Sequence, residues 1–120
     1  MSDQPKQRTL AQNRKFQPMV RDIARQTTHY GQRLQEGDWL RLLLNAFKWE
    51  TKDDPDLRDE WAKFGEMRLI PALNNPGFVA VGESSRNLTV KLAGAFVEWL
   101  YPYGIEHGVK FTAPEYMEPA

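Results

Sequence analysis

The chain has 120 residues, 41% of them hydrophobic and 27% charged, and its sixteen Lys and Arg balance sixteen Asp and Glu. That length and composition predict one soluble globular domain, long enough to bury a core without disulfide or metal staples. Zero cysteines exclude a disulfide scaffold, thiolate metal sites, iron-sulfur clusters and a cysteine nucleophile, and they fit a reducing, cytoplasmic setting.

No apolar run approaches the roughly eighteen residues of a membrane span, and Met1 to Gln7 is polar, so neither a span nor a signal peptide is expected. The balanced charge hides an asymmetry. Residues 1–35 carry net +5 and the remainder net −5, either a basic face for a polyanion or ordinary solvated helix faces.

Met1 to Gln7 reads as a short disordered lead. Thr9-Leu10-Ala11-Gln12 then has the Thr-x-x-Gln form of a capping box, which predicts a helix starting at Leu10. Phe16, Met19, Val20, Ile23, Ala24 and Thr27 recur at three-four spacing and make one buried stripe, with Arg14, Lys15, Arg21 and Arg25 mostly off it. Pro18 removes a hydrogen bond to the carbonyl of Arg14, so a kink or a separate first turn is expected there, and Gly31 supplies the stop.

Asp38 is a good N-cap for a second helix to about Trp49, whose stripe is Trp39, Leu43, Ala46 and Phe47, widened by Leu40 and Leu44. Thr51 to Glu60, rich in Asp around Pro55, reads as an acidic exposed loop or a poor helix, pinned to the core by Trp61 and Phe64. Arg68 to Pro71 and Gly77 to Gly82 flank Asn74-Asn75-Pro76-Gly77, a strong turn signal that predicts an antiparallel hairpin.

Thr89 caps a third helix with Leu92, Ala93, Phe96, Val97, Trp99 and Leu100 as its apolar set, bending or ending between Tyr101 and His107, with Gly108 as a left-handed stop. Val109 to Phe111 reads as a last extended piece, followed by a second capping-box spelling at Thr112 to Glu115. The predicted fold class is α+β, predominantly helical, with about three main helices packed with a short antiparallel β-hairpin.

Enzymatic chemistry finds little support. His29 and His107 lack ligand-like partners, and there is no Gly-rich phosphate loop and no nucleophile elbow, so neither cofactor nor metal is expected. Asp53, Asp54, Asp56 and Glu60 are the one set that a metal-dependent nuclease or resolvase accessory protein would use, although Pro55 and the lack of apolar framing favour a solvated loop. Most of Trp39, Trp49, Trp61 and Trp99 fall on or beside apolar helix faces and read as core. One or two of them would stack on bases or fill a subunit interface instead, and Phe96, Trp99, Tyr101 and Tyr103 are the candidates for a two-fold interface.

Three stretches carry a resemblance. Arg8-Thr9-Leu10-Ala11-Gln12-Asn13-Arg14-Lys15 is similar to an R-S/T-L-x-Q-N-R-K helix entry. Asn75-Pro76-Gly77-Phe78-Val79-Ala80-Val81-Gly82-Glu83-Ser84-Ser85-Arg86 resembles an N-x-G-F-V-x-x-G-x-S-x-x/S-R hairpin and turn, and Gly104-Ile105-Glu106-His107-Gly108-Val109-Lys110-Phe111 resembles a G-x-E-x-G-V-K-aromatic ending. In this order and spacing they resemble the NinB family of lambdoid phages, also called Orf, as one NinB-like domain over residues 8–120. The family's strand-helix-strand unit before the first stretch and its long basic helix after G-V-K are not spelled here, and Gln17 stands where the family can have tryptophan.

The resemblance implies a phage or prophage recombination mediator, non-catalytic, in the cytoplasm of the bacterial host. It would bind single-stranded DNA and assist recombinase loading or exchange with the host's single-strand binding protein, as a homodimer and away from membranes. Binding of single strands needs cations that track phosphates and groups that meet bases. The implied DNA-binding residues are Arg8, Gln12, Asn13, Arg14, Lys15 and Arg86, with Gln12 and Arg86 matching positions that the family uses. The structural alternatives are a capping-box role for Gln12 and a salt bridge from Arg86 to Glu83. A purely protein-binding adaptor, resting on the acidic part of the chain, is the third reading.

Overall fold

The computed structural model describes the backbone of residues 3–112 and the side chains of residues 15–112. Four helices, a two-stranded antiparallel sheet and a 3-10 turn follow in the order α1 (Asp3–Gln26), α2 (Glu36–Thr51), α3 (Arg58–Phe64), β1 (Met67–Pro71), β2 (Phe78–Gly82), the turn Ser85–Asn87 and α4 (Val90–Glu106). The class is α+β and mostly helical, as the patterning predicts.

α1 starts earlier than its expected cap. Its backbone is helical from Asp3, which draws residues 3–7 of the predicted lead into the helix and leaves Thr9 and Gln12 in its interior, so they form no capping box at a helix entry. Pro5 sits in the first turn, where backbone N–H groups have no intrahelical acceptor and proline costs no hydrogen bond. The helix is continuous through Pro18 and ends at Gln26, before Gly31. Phe16, Met19, Val20 and Ile23 are at most 1% exposed and make the stripe that packs chiefly on α4. Complete burial of such side chains is worth about 1.5–3 kcal/mol each against solvent exposure.

α2 begins at Glu36 with Gln35 as N-cap and no capping side chain, so Asp38 is a first-turn residue and not the cap. It instead pairs with Arg41 at 3.3 Å, and as a first-turn acid it still favours the positive end of the helix. Trp39, Leu43, Leu44 and Phe47 are buried. Phe47 meets Trp61 and Phe96 at ring-centroid distances of 5.4 and 5.1 Å, and Phe96 meets Phe16 at 5.2 Å, so one aromatic cluster joins all four helices.

The acidic stretch divides. Asp54 accepts the N–H groups of Leu57 and Arg58 on its carbonyl and that of Asp56 on its side chain, a local turn that delivers the chain into α3. Trp61 and Phe64 are buried as expected, and the Trp61 indole N–H donates to the Thr51 hydroxyl at 2.9 Å. Trp49 departs from the apolar-face reading at 73% exposure, and Lys52 lies over its ring.

The hairpin pairs Met67 with Gly82 through Pro71 with Phe78. Ala72 N–H closes the loop on the Gly77 carbonyl, and Asn74 takes a positive φ of 63°. Gly82 has a φ of 96°, and a Cβ there would stand 2.2 Å from the Glu66 carbonyl oxygen, so no other residue fits without moving backbone.

Thr89 caps α4 as predicted, its hydroxyl accepting the Leu92 N–H at 3.1 Å. The helix runs through Pro102 to Glu106, and Gly108 follows with a φ of 77°. Gly104, inside the helix, leaves room for Phe111, whose Cζ would lie 2.2 Å from an added Cβ.

Val109 to Phe111 joins no sheet. Both its outer residues are buried, and the Gln26 amide satisfies Lys110 twice, accepting its N–H and donating to its carbonyl, each at 2.8 Å. Asp22, 2% exposed, accepts the N–H and hydroxyl of Thr112. The second capping-box spelling continues outside the described residues.

Candidate nucleic-acid interface

Arg86 occupies the 3-10 turn between the hairpin and α4. Upstream, Glu83 N–H donates to the Glu66 carbonyl at 2.8 Å. Downstream, buried Leu88 and the Thr89 cap hold the start of α4. The turn closes through Asn87 N–H on the Ser84 carbonyl. Arg86 is thus an exposed cation on a short turn anchored at both ends, the kind of position from which a rigid scaffold presents a side chain.

The expected alternative partner is occupied elsewhere. Glu83 accepts a short hydrogen bond from the Asn87 amide, and Arg86 makes no ion pair among the described residues. Lys15 on α1 is likewise exposed and makes no such pair. The side chains of Arg8, Gln12, Asn13 and Arg14 lie outside the described residues; their backbone belongs to α1.

A cleft of about 310 Å³ runs between α2 and the hairpin, bordered by Leu40, Leu44, Met67 and Gly82, and reaches Ser84 and Ser85 just before Arg86. Arg41 and Arg68 also line it, which sequence reasoning did not find. Both carry a local carboxylate, Arg41 on Asp38 and Arg68 on Glu66 at 2.6 Å, so they bring less free charge than Arg86. Their meeting depends on α2 facing the hairpin, which no local spacing encodes.

The acidic set does not converge. Among the described residues no group of three or more His, Asp or Glu side chains is placed to hold a metal ion. Asp53 pairs with Lys52, Asp54 serves its own turn, and Glu60 faces Lys63 at 3.5 Å. A hydrogen bond from the Thr89 hydroxyl holds the Glu60 carboxyl below its ordinary range, aided by Lys63 and Lys91 and opposed by partial burial. That places Glu60 in the architecture of the α3–α4 junction.

Phe96 is fully buried within one chain, so it is unavailable to a subunit interface. Its ring is enclosed by Phe16, Phe47 and Trp99. Tyr101 stays 38% exposed while stacking on Phe111. Tyr103 stacks between Trp99 and His107, and its burial raises the phenol's pKa. No helix among the described residues is long and apolar enough to cross a membrane.

Comparison with known proteins agrees with the three motifs. The family model described as NinB protein matches residues 2–112. The ninB proteins of Salmonella phage P22 and Escherichia phage lambda are each 27% identical over 109 residues, covering 91% of this chain and 63% of the relative. A solved structure titled "Structural Genomics, NinB" superposes with a TM-score of 0.58 at 26% identity, over 86% of this chain and 65% of the other. The chain therefore spans somewhat less than two thirds of the relatives' length. With the family model matched over nearly the whole sequence and the fold shared, this chain belongs to the NinB family of phage proteins.

Proposed function

We propose that this protein serves phage recombination as a non-catalytic binder of single-stranded DNA. In this reading it acts in the cytoplasm of the bacterial host and assists recombinase loading or exchange with the host's single-strand binding protein. It works as a homodimer, with Tyr101 among the residues available to a two-fold contact. The observation that carries the reading is Arg86: an exposed guanidinium on an anchored turn, its neighbouring carboxylate already engaged by Asn87. A guanidinium in that state can fork onto a phosphate or stack on a base. The net +5 of residues 1–35 supplies the accompanying field.

The test is fluorescence anisotropy with labelled single- and double-stranded DNA at two salt concentrations, with Mg²⁺ present and the products run on a denaturing gel. Preference for the single strand is expected, with a log–log salt slope of roughly −2 to −4, at about −0.7 per phosphate contact, and no cut product. Arg86→Ala should weaken binding by about 1 kcal/mol or more, the scale of a lost charge-assisted hydrogen bond. Lys63→Ala, whose ammonium sits on Glu60, should change it little. Equal losses from both substitutions, or cleaved DNA, would overturn the reading.

A further inference from the structure

At the end of α1 away from the family-matched helix entry, three arginines meet. Arg21 and Arg25 stand one turn apart and are exposed. The chain then reverses through a tight turn in which His29 and Gln32 exchange backbone hydrogen bonds of 2.9 and 3.0 Å. This return brings exposed Arg33 back onto α1, where its guanidinium donates to the Arg25 carbonyl. The three side chains border a shallow concavity of about 400 Å³ together with Ala24, Leu34 and Glu36.

None of the three makes an ion pair among the described residues. Asp22, the acid beside Arg21 in sequence, is turned inward and holds Thr112. Like charges one turn apart on a helix repel, and an anion lying between them removes that cost. Guanidinium forks match phosphate oxygens, and a shallow, open basin suits a polymer that passes through better than a small molecule that must be enclosed.

We infer that the Arg21, Arg25 and Arg33 concavity is a phosphate subsite for the backbone of single-stranded DNA, extending the contact along α1 beyond Lys15. This rests on the single-strand reading above. Glu36 is the one carboxylate among the described lining residues and sets a limit on the affinity of the site.

The test compares wild type, R21Q/R25Q, E36Q and R58Q by anisotropy on an oligothymidylate over a range of salt, with thermal melting of each. Arg58 is an exposed arginine at the start of α3, followed by Asp59 and Glu60, and serves as the control. R21Q/R25Q is expected to lose about tenfold in affinity, to flatten the log–log salt slope by about 1.4 for two lost contacts, and to melt with wild type. E36Q should bind about two- to threefold more tightly, a difference of about half a kcal/mol, and R58Q should match wild type. If wild type binds and both R21Q/R25Q and E36Q match it in affinity and slope, the subsite is overturned while the single-strand reading stands. If wild type itself fails to bind at low salt, both fall.

Discussion

Phe96 and Phe78 are the same residue in opposite circumstances, 0% exposed in α4 and 67% exposed in β2. The helical body has a stripe at three-four spacing on each long helix, and each stripe finds another to cover it. In the hairpin, Phe78-Val79-Ala80-Val81 is apolar without alternation, a pattern typical of strands covered on both faces. Here neither face is closed: Leu69, Phe78 and Val79 are 38%, 67% and 45% exposed. An apolar run reports strand propensity, whereas only periodicity reports a buried side. Isolated two-stranded hairpins are marginal at best, so this one relies on its attachment to the body through Gly65, bonded to Lys48 and Trp61, and through Met67, packed against the core.

The largest expected effect lies in the body. Phe96→Ala empties the centre of the aromatic cluster and should cost about 3–5 kcal/mol in denaturant unfolding. A loss below about 1 kcal/mol would mean that the cluster is not the core. Next comes the backbone of the hairpin. Gly82→Ala forces a side chain into a positive φ against the Glu66 carbonyl, at about 1–3 kcal/mol. It should speed amide exchange in β1 and β2 ahead of α1 and α4; uniform acceleration would make hairpin and body one cooperative unit.

Thr89→Ala is expected to cost about 1 kcal/mol through the lost cap. It also removes the largest influence on Glu60, whose carboxyl should titrate closer to its ordinary range. In the wild type that carboxyl has a lower pKa folded than unfolded. Its contribution is therefore complete above the unfolded value and lost as pH falls through the folded one. NMR titration of Glu60 in both proteins checks the direction, and an unmoved midpoint in Thr89→Ala would disprove the link. The smallest effect belongs to Phe78→Ser, expected within about 0.5 kcal/mol of wild type by thermal melting. A larger loss would show that the hairpin face is covered in solution.

What the sequence makes legible follows the same division. The α1 stripe, the Thr89 cap, the Asn74 turn and the buried Trp61 and Phe64 are written in spacing or in turn chemistry, and each is found in place. Thr9 and Gln12 spell a cap but lie within a helix that begins at Asp3, because a capping box states only what a helix start would look like. Gly104 falls in the stretch where α4 is expected to bend or end, yet its role is set by Phe111 folding back onto it. Nothing in local spacing marks Asp22 for burial, yet it is committed to Thr112, ninety residues away. At the candidate interface, Arg86 is visible through a motif. The partnering of Glu83 with Asn87 and the return of Arg33 onto α1 require the folded chain.

The fastening of Asp22 and Gln26 to Thr112 and Lys110 also sets an order of events during synthesis. α1 is made well before the helix that covers its stripe and the segment that ties down its end. At about 5–20 residues per second, the apolar face of Phe16 to Ile23 waits several seconds for α4 to leave the ribosome. A nascent chain stopped before Val90 should therefore be sticky and chaperone-dependent, whereas one extended past Thr112 carries the partners that cover this face.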